Sequence, residues 1–328
     1  MKIVVTGGAG FIGSNYIQLL LFKYPRYKIV CVDALTYAGD LYNLKNAIAN
    51  SNFTFIKADI TDKQAIEEVF ATELPDVVVN FAAETHVDRS IVEPELFLRT
   101  NVMGTGILLD MCRKYGSKRF HQVSTDEVYG DLPIESKMLF DEQASIKPNN
   151  PYAASKASAD LLVLAYYKTF GIHVTISRCT NNYGPCQFSE KLIPVIISNA
   201  LAGRSIPIYG TGNNVRDWLY VDDHCMAIDL IVHKGISGEV YNIAANNDLN
   251  NLAVAGIVLQ ELKIGDELIT LVADRLGHDR RYALDASKIK RQLGWKPCTS
   301  FIEGIKKTIQ WYLENQSRLS LIAKDCNF

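Results

Sequence analysis

The sequence predicts an α/β fold, a doubly wound parallel sheet with a smaller lobe attached, on two observations. Short β-branched runs alternate with longer helix-like stretches through the first half of the chain, and the runs are apolar on both faces. The candidate strands are Lys2–Thr6, 29–33, Phe53–Lys57, 77–81, 120–124 and 174–178, with helical patterns near 12–22, 62–71, 95–115 and 151–170. Runs such as IVV and VVV suit a parallel sheet covered by helices on each side. After about residue 178 loop signals crowd in (NNYGP, YGTGNN, ANNDLNN) and the elements shorten. We therefore expect a first domain over 1–178 and a smaller lobe over 179–328, some of whose segments return to the sheet.

The bulk properties fit this picture. The chain has 328 residues, enough for two domains at roughly 150 residues each. Its 34 basic and 36 acidic residues leave a net charge of −2, which argues against a general nucleic-acid binder or a polybasic membrane-surface protein. MKIVVTGGAG reads as a first strand and turn, not as a signal peptide, and no apolar run reaches the ~18 residues of a membrane span. The seven cysteines are odd in number and scattered without a C-x-x-C pair, as in a reducing compartment, so a cytoplasmic location is expected.

The first strand runs straight into Thr6-Gly7-Gly8-Ala9-Gly10-Phe11-Ile12-Gly13. Glycines at 7, 10 and 13 allow a tight turn, close approach to a pyrophosphate and close packing of helix on sheet, as in the Rossmann dinucleotide site. The free N–H groups at the helix start favour phosphate. Asp33 ends the second strand 20 residues beyond Gly13, where a carboxylate accepts hydrogen bonds from both ribose hydroxyls and repels a 2′-phosphate. NAD is thus expected over NADP. The alternative is a plain glycine turn with Asp33 as a cap. Asp59-Ile60 and Ala82-Ala83 end strands on the same carboxyl edge, where Asp59 faces an adenine or caps the next helix.

Tyr152-Ala-Ala-Ser-Lys156 opens a helical pattern and sets Tyr152 and Lys156 one turn apart. A tyrosine base near neutral pH needs a pKa about three units lower, roughly 4 kcal/mol. An ammonium ~5 Å away supplies roughly 3 kcal/mol and a cationic nicotinamide more, so a lowered Tyr152 is expected. Ser124-Thr125 at the end of the preceding strand completes the arrangement.

TGGAGFIG, YAASK and this strand-end Ser/Thr resemble the extended short-chain dehydrogenase/reductase superfamily. The pair Asp126-Glu127 after Thr125 resembles the signature of its nucleotide-sugar 4,6-dehydratases, as do AAETHVDRSI (82–91), SRCTNNYGP (177–185), EKLIP (190–194), VRDWLYVDDH (215–224) and GHDRRYALD (277–285). The likeness runs in order from residue 1 to about 315. It implies a lyase in which Thr125 and Tyr152 serve C4 oxidation, Lys156 supports Tyr152, Glu127 is the base at C5 and Asp126 the acid at the C6 oxygen. Without that context the acid pair could equally cap a helix or face water.

The resemblance further implies NAD contacts from Gly7, Gly10, Phe11, Ile12, Gly13, Asp33, Leu35, Thr36, Asp59, Ile60, Ala82, Ala83, Thr100, Tyr152, Lys156 and Asn182. It implies substrate contacts from Thr85, Thr125, Asn181, Lys191, Leu192, Pro207, Tyr209, Arg216, Asn251, Arg275 and His278. The two arginines suit a diphosphate and Tyr209 a nucleobase, although Lys191 could be a solvated lysine and Tyr209 a core aromatic. His86 and His224 read as core or supporting histidines. The implied substrate is dTDP-glucose. Cys186, Ser189, Ala244-Ala245 and Leu276 depart from the usual pattern in the substrate half, which leaves UDP-glucose or UDP-N-acetylglucosamine open. A 4-epimerase would share NAD, Tyr152 and Lys156 but would not need the acid pair, and a non-catalytic NAD-binding scaffold would not need Tyr152 and Lys156. No metal site is expected. A homodimer through a four-helix bundle is implied for the 95–115 and 151–170 helices, whose apolar residues (Leu108, Leu109, Leu161, Leu162, Tyr166, Tyr167) could equally pack internally.

Overall fold

The computed structural model describes residues 1–274 and 276–315. Arg275, one of the expected substrate contacts, therefore lies outside the described residues. Six strands alternate with helices as the pattern requires: β1 (Lys2–Thr6), β2 (Lys28–Asp33), β3 (Phe53–Lys57), β4 (Val77–Asn80), β5 (Arg119–Thr125) and β6 (Val174–Cys179). The chain then adds β7 (Asn181–Tyr183), β8 (Ile206–Tyr209) and β9 (Val215–Tyr220) before β10 (Glu239–Ile243) returns to the large sheet beside β6. β11 (Asp248–Asn250) and β12 (Ile269–Val272) follow.

The seven-stranded sheet has the order β10-β6-β5-β4-β1-β2-β3 and every pairing in it is parallel. The order reverses between β1 and β4, so their connections leave to opposite faces and open a crevice at the carboxyl edge. Alternation along β1 shows both faces in use. Ile3 and Val5 pack with Tyr16, Ile17 and Leu20 of the first helix, and Val4 packs with Phe70, Leu108 and Phe120 on the other side. The helix Val221–Lys234 covers the first of these faces through Val221, Cys225 and Ile228.

Two small sheets, β11-β9-β7 and β12-β8, form a second body around a core of Ile193, Ile197, Val254, Val258 and Ile305. Its helices are Leu192–Leu201, Asn251–Leu262 and Phe301–Glu314.

The helical pattern near 95–115 is not one regular helix. After the turn Pro94–Phe97 the backbone widens into π-helix over Leu98–Gly104 and regains α geometry at Thr105–Tyr115. Leu108 and Leu109 are core residues, whereas Leu98, Met103 and Leu161 stand exposed on the outer face. No helix among the described residues is long and apolar enough to cross a membrane, and no cluster of His, Cys, Asp and Glu among them could hold a metal ion.

Candidate active site

The crevice opens into a cavity of about 390 Å³ along the carboxyl ends of β1, β2, β4, β5 and β6. At its floor Gly7 turns at φ +66, and a Cβ there would sit 2.6 Å from the Ala82 amide nitrogen. A Cβ on Gly13 would collide with the Gly7 carbonyl. Only glycine lets these segments touch. Gly10 caps the helix Phe11–Lys23 without a side-chain hydrogen bond, which leaves its first N–H groups to face the cavity.

Asp33 is both cap and wall. Its carboxylate accepts the Ala9 N–H at 2.9 Å and the Leu35 N–H at 2.8 Å while lining the cavity. Burial raises its pKa, and these two bonds pull against that rise. Leu35 itself does not line the cavity: at φ +54 it spends its N–H on Asp33 and packs its side chain into the core. Asp59 does not cap the helix Lys63–Glu73. Asp62 does that, and Asp59 instead closes the preceding turn on the Thr61 N–H. Thr36, Asp59, Ile60, Ala82, Ala83, Thr100 and Asn182 all line the cavity with the glycine turn, Phe11 and Ile12. Two hydroxyls in the same wall, Ser124 Oγ and Thr180 Oγ1, are buried without a hydrogen-bond partner. A narrow glycine floor, a free helix start, a strand-end carboxylate and orphaned polar atoms together fit a dinucleotide.

Thr125, Asp126, Glu127, Tyr152 and Lys156 meet at the other end of the cavity. Asn150 caps the helix Pro151–Phe170 by accepting the Ala153 N–H at 2.8 Å, and its amide reaches Glu127 Oε2 at 3.4 Å. The helix thus starts in register with the acid pair. Lys156 Nζ donates to the Val123 carbonyl at 2.7 Å, and burial lowers its pKa. Tyr152 does not show the expected fall. Burial, then the charge of Glu127, push its phenol well above the usual value, and a hydrogen bond with Thr125 opposes them.

The acid pair divides sharply. Thr125 caps a 3₁₀ turn over Asp126–Tyr129, which sends Asp126 inward. Asp126 is 3% exposed, Thr125 donates to its Oδ1 at 3.2 Å, and its Oδ2 has no hydrogen-bond partner. Burial, reinforced by Glu127, drives its pKa well above the carboxylate range, with Arg216 and Thr125 pulling back. Both causes favour its protonated, carboxylic-acid form.

Among the expected substrate contacts, Thr85, Thr125, Asn181 and Lys191 line the cavity. Arg216 lies behind the wall with its guanidinium spent on backbone carbonyls: Val215 at 2.8 Å and Asp279 at 2.8 Å. It also stacks on Tyr282. Its influence on the site is the electrostatic pull on Asp126. Leu192 packs on the core of the second body, Asn251 opens the helix Asn251–Leu262, and Pro207, Tyr209 and His278 gather around β8. None of these lines the cavity.

Several residues in or behind the cavity wall escaped sequence reasoning. Asn101, in the π-helical stretch, holds both backbone polar groups of Glu84 and donates to Ser155 Oγ at 2.8 Å. Ser155 in turn donates to the Tyr152 carbonyl at 2.7 Å. Tyr282 is buried within electrostatic reach of Glu127. Tyr37 and Phe188 meet at the mouth.

Fold and site define a dinucleotide-dependent enzyme of the extended short-chain dehydrogenase/reductase type. The family model for GDP-mannose 4,6-dehydratase matches residues 4–308. A dTDP-glucose 4,6-dehydratase of Salmonella typhimurium is 47% identical over 96% of this chain and 93% of its own, and one of Streptomyces antibioticus is 47% identical over 97% and 94%. A dTDP-glucose 4,6-dehydratase of Streptomyces venezuelae, solved with NAD, superposes with a TM-score of 0.94 at 44% identity, covering 98% of this chain and all of the other. A UDP-glucose 4-epimerase of Thermotoga maritima shares the fold at a TM-score of 0.89 with 31% identity over 96% of this chain and all of its own. The chain belongs to the nucleotide-sugar 4,6-dehydratase family, in its dTDP-glucose 4,6-dehydratase branch.

Proposed function

We propose that this chain is an NAD-dependent hydro-lyase that converts dTDP-glucose to dTDP-4-dehydro-6-deoxyglucose, for deoxysugar biosynthesis. The observation that carries the reading is the buried Asp126, its pKa raised by burial, beside Glu127 in one cavity with Tyr152 and Lys156. A dehydratase needs an acid and a base at adjacent carbons, and a 4-epimerase does not.

The glycine turn, Gly10 to Gly13 and Asp33 hold the cofactor's pyrophosphate and ribose, with Ser124 and Thr180 available to its polar groups. NAD, when bound, accepts a hydride from C4 of the sugar and returns it to C6, and its cationic ring offsets the raised pKa of Tyr152. Tyr152 takes the O4 proton, assisted by its hydrogen bond with Thr125. The C4 ketone acidifies the C5 proton, which Glu127 removes. Asp126 gives its proton to the C6 oxygen, so that water leaves instead of hydroxide. Glu127 then returns a proton to C5.

Residues 1–178, joined by the returning helix Val221–Lys234 and β10, serve the cofactor, and the rest of 179–328 serves the nucleotide-sugar. The exposed apolar face of Leu98, Met103 and Leu161 supports a homodimer through the 95–115 and 151–170 helices. The setting we assign is cytoplasmic.

The test is mass spectrometry of products from dTDP-glucose, UDP-glucose, UDP-N-acetylglucosamine and GDP-mannose, each incubated in deuterated buffer with NAD. Loss of one water with one deuterium at C5 from the dTDP sugar is the expected result. Unchanged mass in every arm overturns the reading.

A further inference from the structure

Three segments meet over the mouth of the cavity, and one side chain touches all of them. Tyr37 follows Asp33 in the loop after β2, and its hydroxyl lies 3.3 Å from Thr85 Oγ1 in the loop after β4. Its ring meets Phe188 edge-on at 5.5 Å, and Phe188 belongs to the loop that leads to Lys191. The Arg89 guanidinium covers the ring at 5.5 Å and lies 3.6 Å from the buried Glu84 carboxylate. Beside this contact His86 Nε2 and Glu190 Oε2 stand 3.4 Å apart, joining the same two loops a second time. Burial raises the Tyr37 phenol to about 12, so it is a neutral hydroxyl throughout the working range.

We propose that Tyr37 is a positioning residue that joins the cofactor loop to the sugar pocket, its hydroxyl fixing Thr85 and its ring closing the mouth against Phe188, so that the keto intermediate is held until the hydride returns. The proposal rests on the dehydratase reading. That reaction needs such a closure: after C4 oxidation the sugar has lost a hydride to the cofactor and a proton to Tyr152. If the ketone escapes then, a product lighter than substrate by two hydrogens leaves and one NADH stays behind on the protein. Each escape therefore ends the cycle.

The experiment uses NAD-loaded wild type, Tyr37→Phe, Tyr37→Leu and Phe188→Leu with dTDP-glucose. It reads KM and kcat, the near-ultraviolet absorbance of NADH, and the mass of released sugars. Tyr37→Phe keeps the ring and loses one hydrogen bond, so KM should rise about fivefold to tenfold with a smaller change in kcat. Tyr37→Leu and Phe188→Leu should release undehydrated ketone and accumulate NADH in equal amounts, with activity decaying over successive turnovers. Wild-type KM in Tyr37→Phe together with no ketone from either leucine variant overturns the proposal. So does a leucine variant that merely loses activity without NADH or ketone, because a structural role alone predicts that. A wild type that leaves dTDP-glucose unchanged overturns the functional reading first and this proposal with it.

Discussion

Replacing Asp126 by Asn tests the acid directly, because burial favours the protonated carboxyl and the amide has nearly its shape. The Thr125 hydroxyl keeps an acceptor in place of Oδ1, and the amide nitrogen takes the position of the unpartnered Oδ2. Below about pH 4, where the wild-type carboxyl is protonated both folded and unfolded, stability should change by less than ~1 kcal/mol. Its pH trend has a definite sign. A carboxyl whose folded pKa is raised by burial stabilises fully below the ordinary value of 3.8 and loses that contribution as pH rises through the folded value. Asp126→Asn should therefore gain on the wild type as pH increases. Catalysis should fall by ~10²–10⁴, equivalent to about 3–5 kcal/mol of barrier. The loss should fall on elimination alone, so that mixing the variant with dTDP-glucose gives a burst of NADH with no dehydrated product. A C6-fluoro substrate, whose leaving group departs without a proton, should recover most of the rate. The wild-type kcat should decline as pH rises through the raised pKa of Asp126, and the variant should lack that limb. Retention of kcat within tenfold, or loss of the NADH burst together with the product, would refute the assignment.

Glu127→Gln should also keep the burst but abolish deuterium incorporation at C5, cutting turnover by ~10²–10⁴, as product mass spectrometry will report. Gly7→Ala forces a side chain into a left-handed turn with its Cβ 2.6 Å from the Ala82 nitrogen. The expected cost is ~1–3 kcal/mol in unfolding experiments, with less NAD carried through purification. His233 has its pKa raised chiefly by a hydrogen bond to Asp229. Its contribution is complete below the ordinary value of 6.5 and fades as pH rises through the folded value, so the Tm advantage of wild type over His233→Gln should shrink as pH rises above 6.5.

What could be read in the sequence follows the range of the interactions involved. β1 to β6 and the glycine turn are local: apolar runs and φ requirements write themselves into consecutive residues. Tyr152 and Lys156 are legible for the same reason, since one helical turn fixes their relation. Arg216 shows the limit. Its residue type suits a diphosphate, yet beside the adjacent Val215 carbonyl its partners are carbonyls of residues 279 and 280, more than sixty positions away, and no spacing rule foretells them. The three-residue strands β7 and β11 are too short for a period, and LRTNVMG carries no mark of the π-helix that brings Asn101 to Ser155. Leu35 is the instructive case within a local motif. The resemblance implies contact with the cofactor, and the fold instead gives its N–H to Asp33 and packs its side chain against the core.

The chemistry expected of the acid pair required two neighbouring carboxyls in opposite protonation states, and sequence cannot separate two adjacent acids. The backbone does. A Thr125 cap followed by a tight 3₁₀ turn points Asp126 into the protein, beside an arginine already occupied by carbonyls. An unengaged guanidinium would be free to ion-pair with Asp126 and hold it ionised. Arg216, tied to Val215 and Asp279, makes no hydrogen bond to Asp126 and lowers its pKa less than burial and Glu127 raise it. Glu127, half-buried and held through the Asn150 cap, adds its charge to that rise. The acid is thus made by burial and reinforced by its neighbour, and neutralising Glu127 should lower the pKa of Asp126 as well as remove the base.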